Sequence, residues 1–182
     1  MASPDCFENP PALDPACGGG EVVDDFGGKK AYVAGSAEAK VAVVLVSDAF
    51  GFEAPKLRYL LEKAFEEAKP VIAALNEKGM STIGAAGYCW GAKVVAELAK
   101  AREIQAAVMS HPSLVTVDDI KELVKRFKQV LSANSAVAHF VKIFPGVTHG
   151  WAVRYSDDDE AAVKSAEEAF ADMTGWFDKH LK

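Results

Sequence analysis

Residues 83–91 read Ile-Gly-Ala-Ala-Gly-Tyr-Cys-Trp-Gly: a small apolar run (Ile83 to Ala86) that enters the pentapeptide Gly87-Tyr88-Cys89-Trp90-Gly91, followed by a helical pattern from Ala92 to Lys100. Strand, sharp turn and helix in that order lift a nucleophile to the exposed end of a sheet. The glycines two positions either side of Cys89 suit a crowded, strained turn in which side chains there would collide. Cys89 is therefore the candidate nucleophile. The competing reading is a buried cysteine in a glycine-rich strand-to-helix turn.

Working outward, 182 residues make one domain with room for a sizeable core. Half of the residues are hydrophobic and a quarter are charged, as in ordinary globular proteins. A formal net charge of -6 argues against nucleic acid or an anionic membrane as partner, since both need a concentrated basic face. The first residues, MASPDCFENPPALDPACGGGE, show neither a basic leader nor an apolar stretch, so a cytoplasmic protein is expected. Cys6, Cys17 and Cys89 are too few and too scattered for a disulfide framework or a zinc site, and reduced thiols with no metal and no cofactor are expected.

The chain divides into an irregular, Pro- and Gly-rich arm at residues 1–20 and a single domain at 21–182. Short alternating segments at Val22-Val23 and Ala31-Tyr32-Val33 read as a hairpin or edge strands. Lys40 to Ser47 (KVAVVLVS) is a continuous β-branched run of the kind buried on both faces of a parallel sheet. Apolar residues recur at helical spacing from Pro55 to Lys78, with Pro70 as a kink or break. Strands are expected at Ser81 to Ala86, Ile104 to Ser110 and Ala138 to Phe144, with a helix near Val117 to Leu131. A long amphipathic helix ends the chain, its start marked by Ser156 and Asp159 as a capping box. Strands alternating with helices imply an α/β fold: a mostly parallel sheet of about five or six strands with helices on both faces.

In such folds functional residues gather at the carboxyl ends of strands. KVAVVLVS is followed by Asp48-Ala49-Phe50-Gly51, and the last expected strand by Phe144-Pro145-Gly146-Val147-Thr148-His149-Gly150-Trp151. A thiol and a histidine each just past a strand can meet, so that the imidazole takes the thiol proton and later returns it to a leaving group. His149 is the candidate base. His139 lies within an expected strand, His180 near the C-terminus, and His111, before Pro112, has no partner that the sequence identifies.

GYCWGAK, the segment DAFGFE and the downstream FPGVTHGWAVR together resemble the dienelactone hydrolase family, cysteine-bearing members of the α/β-hydrolase fold. The likeness is closest to plant cytosolic members, some labelled endo-1,3;1,4-β-D-glucanase, and runs from about Glu21 to the C-terminus. It implies Cys89 as nucleophile, His149 as base, and an oxyanion hole from the backbone N–H groups of Trp90 and Ala49. Asp48 would be the acidic residue that contacts the resting nucleophile. Arg154 would clamp a substrate carboxylate, with Trp151 and Phe50 also at the substrate. As a charge beside Tyr155 and the acidic run that follows, Arg154 reads equally well as a solvated surface residue.

Two stretches of the family pattern have no counterpart. One is a strand and covering loop between Phe52 and the elbow; the other, between Asp119 and Val130, is the strand ending in the Asp that orients the histidine. The chain therefore reads as an internally shortened relative. Asp118 or Asp119 follows a strand from which an acid can reach the histidine, although Asp at a helix start also serves as a cap. Exposed edges left by the losses would favour homo-oligomerisation. Three functions stay open: a cysteine hydrolase of small, including anionic, esters or lactones; a non-catalytic homologue that binds in the same pocket; and a small cysteine-elbow enzyme of the DJ-1/PfpI type.

Overall fold

The computed structural model describes residues 20–48, 60–113, 115 and 140–182, the side chains of 60–67 excepted. The expected N-terminal arm and the helix near 117–131 lie outside the described residues. Strands β1 (Glu21–Val23) and β2 (Ala31–Val33) pair antiparallel, Glu21 opposite Val33. Their connection is closed by Asp25, whose carboxylate accepts from Gly28 N at 2.7 Å. Gly27, at φ 62°, comes so close to helix α1 that a Cβ there would lie 2.5 Å from the Pro70 carbonyl oxygen.

The main sheet is parallel, in the order β3 (Val41–Val46), β4 (Thr82–Tyr88), β5 (Ala106–Ser110). Helix α1 (Leu60–Glu77) connects β3 to β4, and α2 (Gly91–Ala101) connects β4 to β5. The elbow strand β4 is thus central and buried along nearly its whole length. Ile72 and Leu75 of α1 and Val94, Val95 and Leu98 of α2 pack on Ile83 and Ala85 to form the core of one face. Burial of each such aliphatic side chain contributes about 1.5–3 kcal/mol.

The other face carries α3 (Glu160–His180), whose Met173 and Phe177, with Leu181, cover Ala86 and Ala106. Gly84 lets α3 pack closely on β4: a Cβ there would sit 2.7 Å from the Phe177 ring and the Leu181 methyl, and those side chains would have to shift. The α3 start is capped by Asp159, which accepts from Ala161 N and Ala162 N at 3.1 Å. The expected cap, Ser156, instead accepts from Asp158 N one turn earlier.

Two expectations change. KVAVVLVS forms a strand, yet it is buried on one face only: Ala42, Val44 and Val46 meet the core, whereas Val41, Val43 and Leu45 are exposed, Leu45 by 62%. Among the described residues, the apolar cluster under α3 takes its strand residues from β4 and β5 and none from β3. In the expected strand at Ala138 to Phe144, residues 140–144 adopt no strand. Val141 and Ile143 are over 80% exposed, and Lys142 reaches instead to Glu168 and Asp172 on α3, at 2.8 and 2.6 Å. Alternating apolar residues form a strand only when a neighbouring strand takes their backbone groups, and none among the described residues does so here. The described parallel sheet accordingly has three strands.

Candidate active site

Cys89 occupies the turn between β4 and α2 with φ 55°, a left-handed conformation that costs a non-glycine residue about 1–3 kcal/mol. Both flanking glycines are sterically required. A Cβ on Gly87 would lie 2.3 Å from the Gly91 oxygen, and one on Gly91 would lie 2.4 Å from the Val46 oxygen and 2.6 Å from that of Ser47. Trp90 begins the helix with no side-chain cap, and no acid lies in the first turn. No acidic side chain in the first turn opposes the amide dipoles of α2 at Cys89. The cysteine side chain is fully buried.

The Ser110–Ser113 turn brackets this elbow. Cys89 N donates to Ser110 O at 3.2 Å, Ser113 N donates to Cys89 O at 2.9 Å, and the Cys89 thiol and Ser113 hydroxyl lie 3.6 Å apart. His111, between the two serines, has φ 37°, strained for a non-glycine residue. Its ring lies edge-on to that of His149, centroids 5.1 Å apart and planes at 74°, with Tyr88 at 5.9 Å and Trp151 at 6.5 Å. Burial lowers the His111 pKa to about 4, helped by the nearby His149 and Arg154 charges. Burial also raises that of Tyr88.

Asp48, at the end of β3, and Arg154, after the His149 loop, face each other. Arg154 Nε lies 2.7 Å from Asp48 Oδ2, a close charge contact off the line of an ideal hydrogen bond, with side chains 1% and 7% exposed. The guanidinium lies across Gly150, φ 90°, where a Cβ would come within 2.3 Å of it. Arg154 N also donates to Gly150 O at 2.9 Å, and Trp151 N to Thr148 O at 3.2 Å, so the loop folds back on itself. Trp151 packs on Phe144 at 4.5 Å between centroids.

Of the residues singled out in the sequence, Cys89, Trp90, Asp48, His149, Trp151 and Arg154 stand at or beside the carboxyl ends of the three parallel strands. Ala49, Phe50 and Asp118 lie outside the described residues. His111 was weighed in the sequence and set aside for want of a partner, and Ser113 escaped the sequence reading. Their signal was Ser110-His111-Pro112-Ser113 directly after a strand adjacent to the elbow strand, but strand adjacency is not visible in a one-dimensional pattern.

The dienelactone hydrolase family model matches residues 57–123 and 114–181. The chain belongs to the dienelactone hydrolase family. With that membership the fold is the α/β-hydrolase fold, here in reduced form. The chain is 37% identical over 161 residues to a Zea mays protein named endo-1,3;1,4-beta-D-glucanase, covering 65% of this chain and 52% of the relative. It is 25% identical over 139 residues to an Aspergillus violaceofuscus protein named hydrolase pyvD, covering 64% and 57%. It is 25% identical over 215 positions to a mouse carboxymethylenebutenolidase homolog, covering 84% and 88%.

The chain thus spans little more than half the length of the maize and Aspergillus relatives. The mouse alignment is longer than this whole chain of 182 residues, so that relative carries internal stretches that this chain lacks. The two family matches overlap at residues 114–123, beside one of the two places where the sequence departs from the family pattern. Membership also sets aside the DJ-1/PfpI reading. No helix among the described residues is long and apolar enough to cross a membrane.

Proposed function

We propose that the protein hydrolyses small esters or lactones, with Cys89 as nucleophile and His149 as general base. The observation that carries this reading is the elbow: a cysteine held at φ 55° between two glycines that no other residue could replace, at the N-terminus of a helix. Cys89 sulfur attacks the substrate carbonyl as its proton passes to His149. The oxyanion is held by the Trp90 and Ala49 N–H groups, and collapse expels the alkoxide, which takes the proton from His149. Water, deprotonated by His149, then attacks the thioester and releases the acid and the thiol. An anionic substrate would reach the Arg154 guanidinium by competing with Asp48.

The enclosed thiol suits a small substrate rather than a polysaccharide. Glycoside hydrolysis needs two carboxylates at fixed separation across the sugar; Asp48 is buried against Arg154, which does not support that chemistry here. A second reading, a non-catalytic protein that binds in the same pocket, draws on the complete burial of Cys89. Mass spectrometry after brief exposure to p-nitrophenyl acetate separates them. An acetyl adduct on Cys89 that turns over supports the hydrolase; no adduct at Cys89 supports the binding protein.

A further inference from the structure

We propose that Ser113 is a further catalytic residue, whose hydroxyl donates a hydrogen bond to the Cys89 sulfur once the thiol has lost its proton and so stabilises the attacking thiolate. This deepens the reading of Cys89 as the nucleophile and rests on it.

The contact joins the ends of two neighbouring parallel strands: Cys89 directly follows β4, and Ser113 lies just beyond β5. Cys89 Sγ and Ser113 Oγ are 3.6 Å apart, within reach of a hydrogen bond to the large sulfur atom. Backbone bonds fix that separation. Cys89 N donates to Ser110 O at 3.2 Å, and Ser113 N donates to Cys89 O at 2.9 Å, so the hydroxyl is placed by the backbone of the residue it serves. Between the two serines His111 takes φ 37°, a left-handed conformation that persists in a non-glycine residue only when its surroundings hold it, and such strain concentrates at functional sites. While the cysteine is a thiol, either group can donate. A thiolate has no proton to give, so in the reacting state the hydroxyl is the donor. Hydrogen bonds to a charged acceptor are roughly twice as strong as neutral ones, which lets the thiolate draw that proton in competition with neutral acceptors nearby.

The chemistry asks for such a donor. Cys89 is fully buried, and burial disfavours a charged sulfur, whereas a hydrogen bond to the charged form offsets part of that cost. Ser113 keeps its own proton throughout: the thiol proton goes to His149, the Ser113 O–H turns to the sulfur, and the bond weakens as sulfur bonds to carbon and charge moves to the substrate oxygen. When water breaks the thioester the same O–H meets the departing thiolate, so it assists both halves of the reaction. The other charged or titratable groups around the elbow are Asp48 from β3, paired with Arg154, Tyr88 from β4, His111 from the Ser110–Ser113 turn, His149 from the loop, and Lys93 on α2, paired with Glu97. All of them remain when only the Ser113 hydroxyl is removed.

The test is a pH titration of thiolate ultraviolet absorbance in the full chain, each protein measured against the same protein carrying Cys89→Ala. This reads a buried thiol without requiring a reagent to reach it. Ser113→Ala keeps the backbone bond to Cys89 O and removes only the hydroxyl, and the Cys89 midpoint should rise by about one to two pH units. Ser113→Thr, which retains a hydroxyl, should stay within about half a unit of wild type. An unchanged midpoint in Ser113→Ala overturns the proposal, as does an equal rise in both variants. A midpoint that falls in Ser113→Ala also overturns it, because the hydroxyl would then be holding the neutral thiol, and so does a wild-type Cys89 that forms no thiolate at any pH at which the fold survives. The hydrolase reading fails separately: if Cys89→Ala still turns over p-nitrophenyl acetate, that reading falls while the titration still reads the Ser113 contact.

Discussion

Asp48 and Arg154 lie more than one hundred residues apart in the chain and form a buried ion pair, Nε to Oδ2 2.7 Å, that fastens the His149 loop to the end of β3. Removing one partner leaves a charge in a site that excludes water. Arg154→Ala or Asp48→Ala should lower unfolding free energy by about 3–5 kcal/mol, whereas the double change Asp48→Leu with Arg154→Met should recover most of it. Urea titration of the four proteins checks this. Activity should not return in the double variant, because the loop loses its charged anchor.

The elbow glycines give a second expectation. Gly91→Ala would drive a methyl group into the Val46 and Ser47 carbonyls, which are strand backbone and cannot step aside. Destabilisation of about 3 kcal/mol or more is expected from overpacking, with loss of soluble protein on expression. Gly175→Ala, where a Cβ meets nothing, should instead stabilise α3 by up to about 1 kcal/mol.

Stability should also depend on pH through His111. Its folded pKa is lowered from 6.5 to about 4, so below pH 6.5 the unfolded chain binds a proton that the folded one refuses. Stability contributed by the neutral ring is therefore complete above about pH 6.5 and declines as pH falls to about 4, by about 3 kcal/mol in all. Thermal melts of wild type and His111→Asn between pH 4 and 7 should converge at the acid end; parallel curves would contradict the assignment.

The uncovered face of β3 makes a case for self-association. Val41, Val43 and Leu45 lie together on β3, which is an edge of the sheet among the described residues, and we propose that this face supports homo-oligomers. Leu45→Lys should lower the apparent mass in light scattering at high protein concentration, with little change in stability because Leu45 is already exposed.

How far the sequence alone could be read follows from which interactions are local. The elbow was legible because its pattern falls within five residues, Gly87 to Gly91, although the carbonyls that exclude a side chain at Gly91 belong to Val46 and Ser47 at the end of β3. The strand and helix alternation around it was legible by periodicity. The fate of 140–144 was not, since an apolar alternation becomes a strand only when a partner strand exists. Nor was the outer face of β3 legible, since its burial depends on what packs across the sheet. In the site, Asp48 and Arg154 were each recognised, but their pairing with one another depends on the fold of the Gly150 turn. His111 was passed over because its significance lies in contacts with residues remote in sequence.

The central claim is that Cys89 is a working nucleophile served by His149. Its most direct measurement is the rate of acetyl-Cys89 formation and decay from p-nitrophenyl acetate, resolved by rapid-quench mass spectrometry in wild type and His149→Ala. The account expects an adduct on Cys89 that forms and hydrolyses in wild type, and that forms about a hundredfold or more slowly in His149→Ala. No adduct on Cys89, or one whose rate is indifferent to His149, would contradict it.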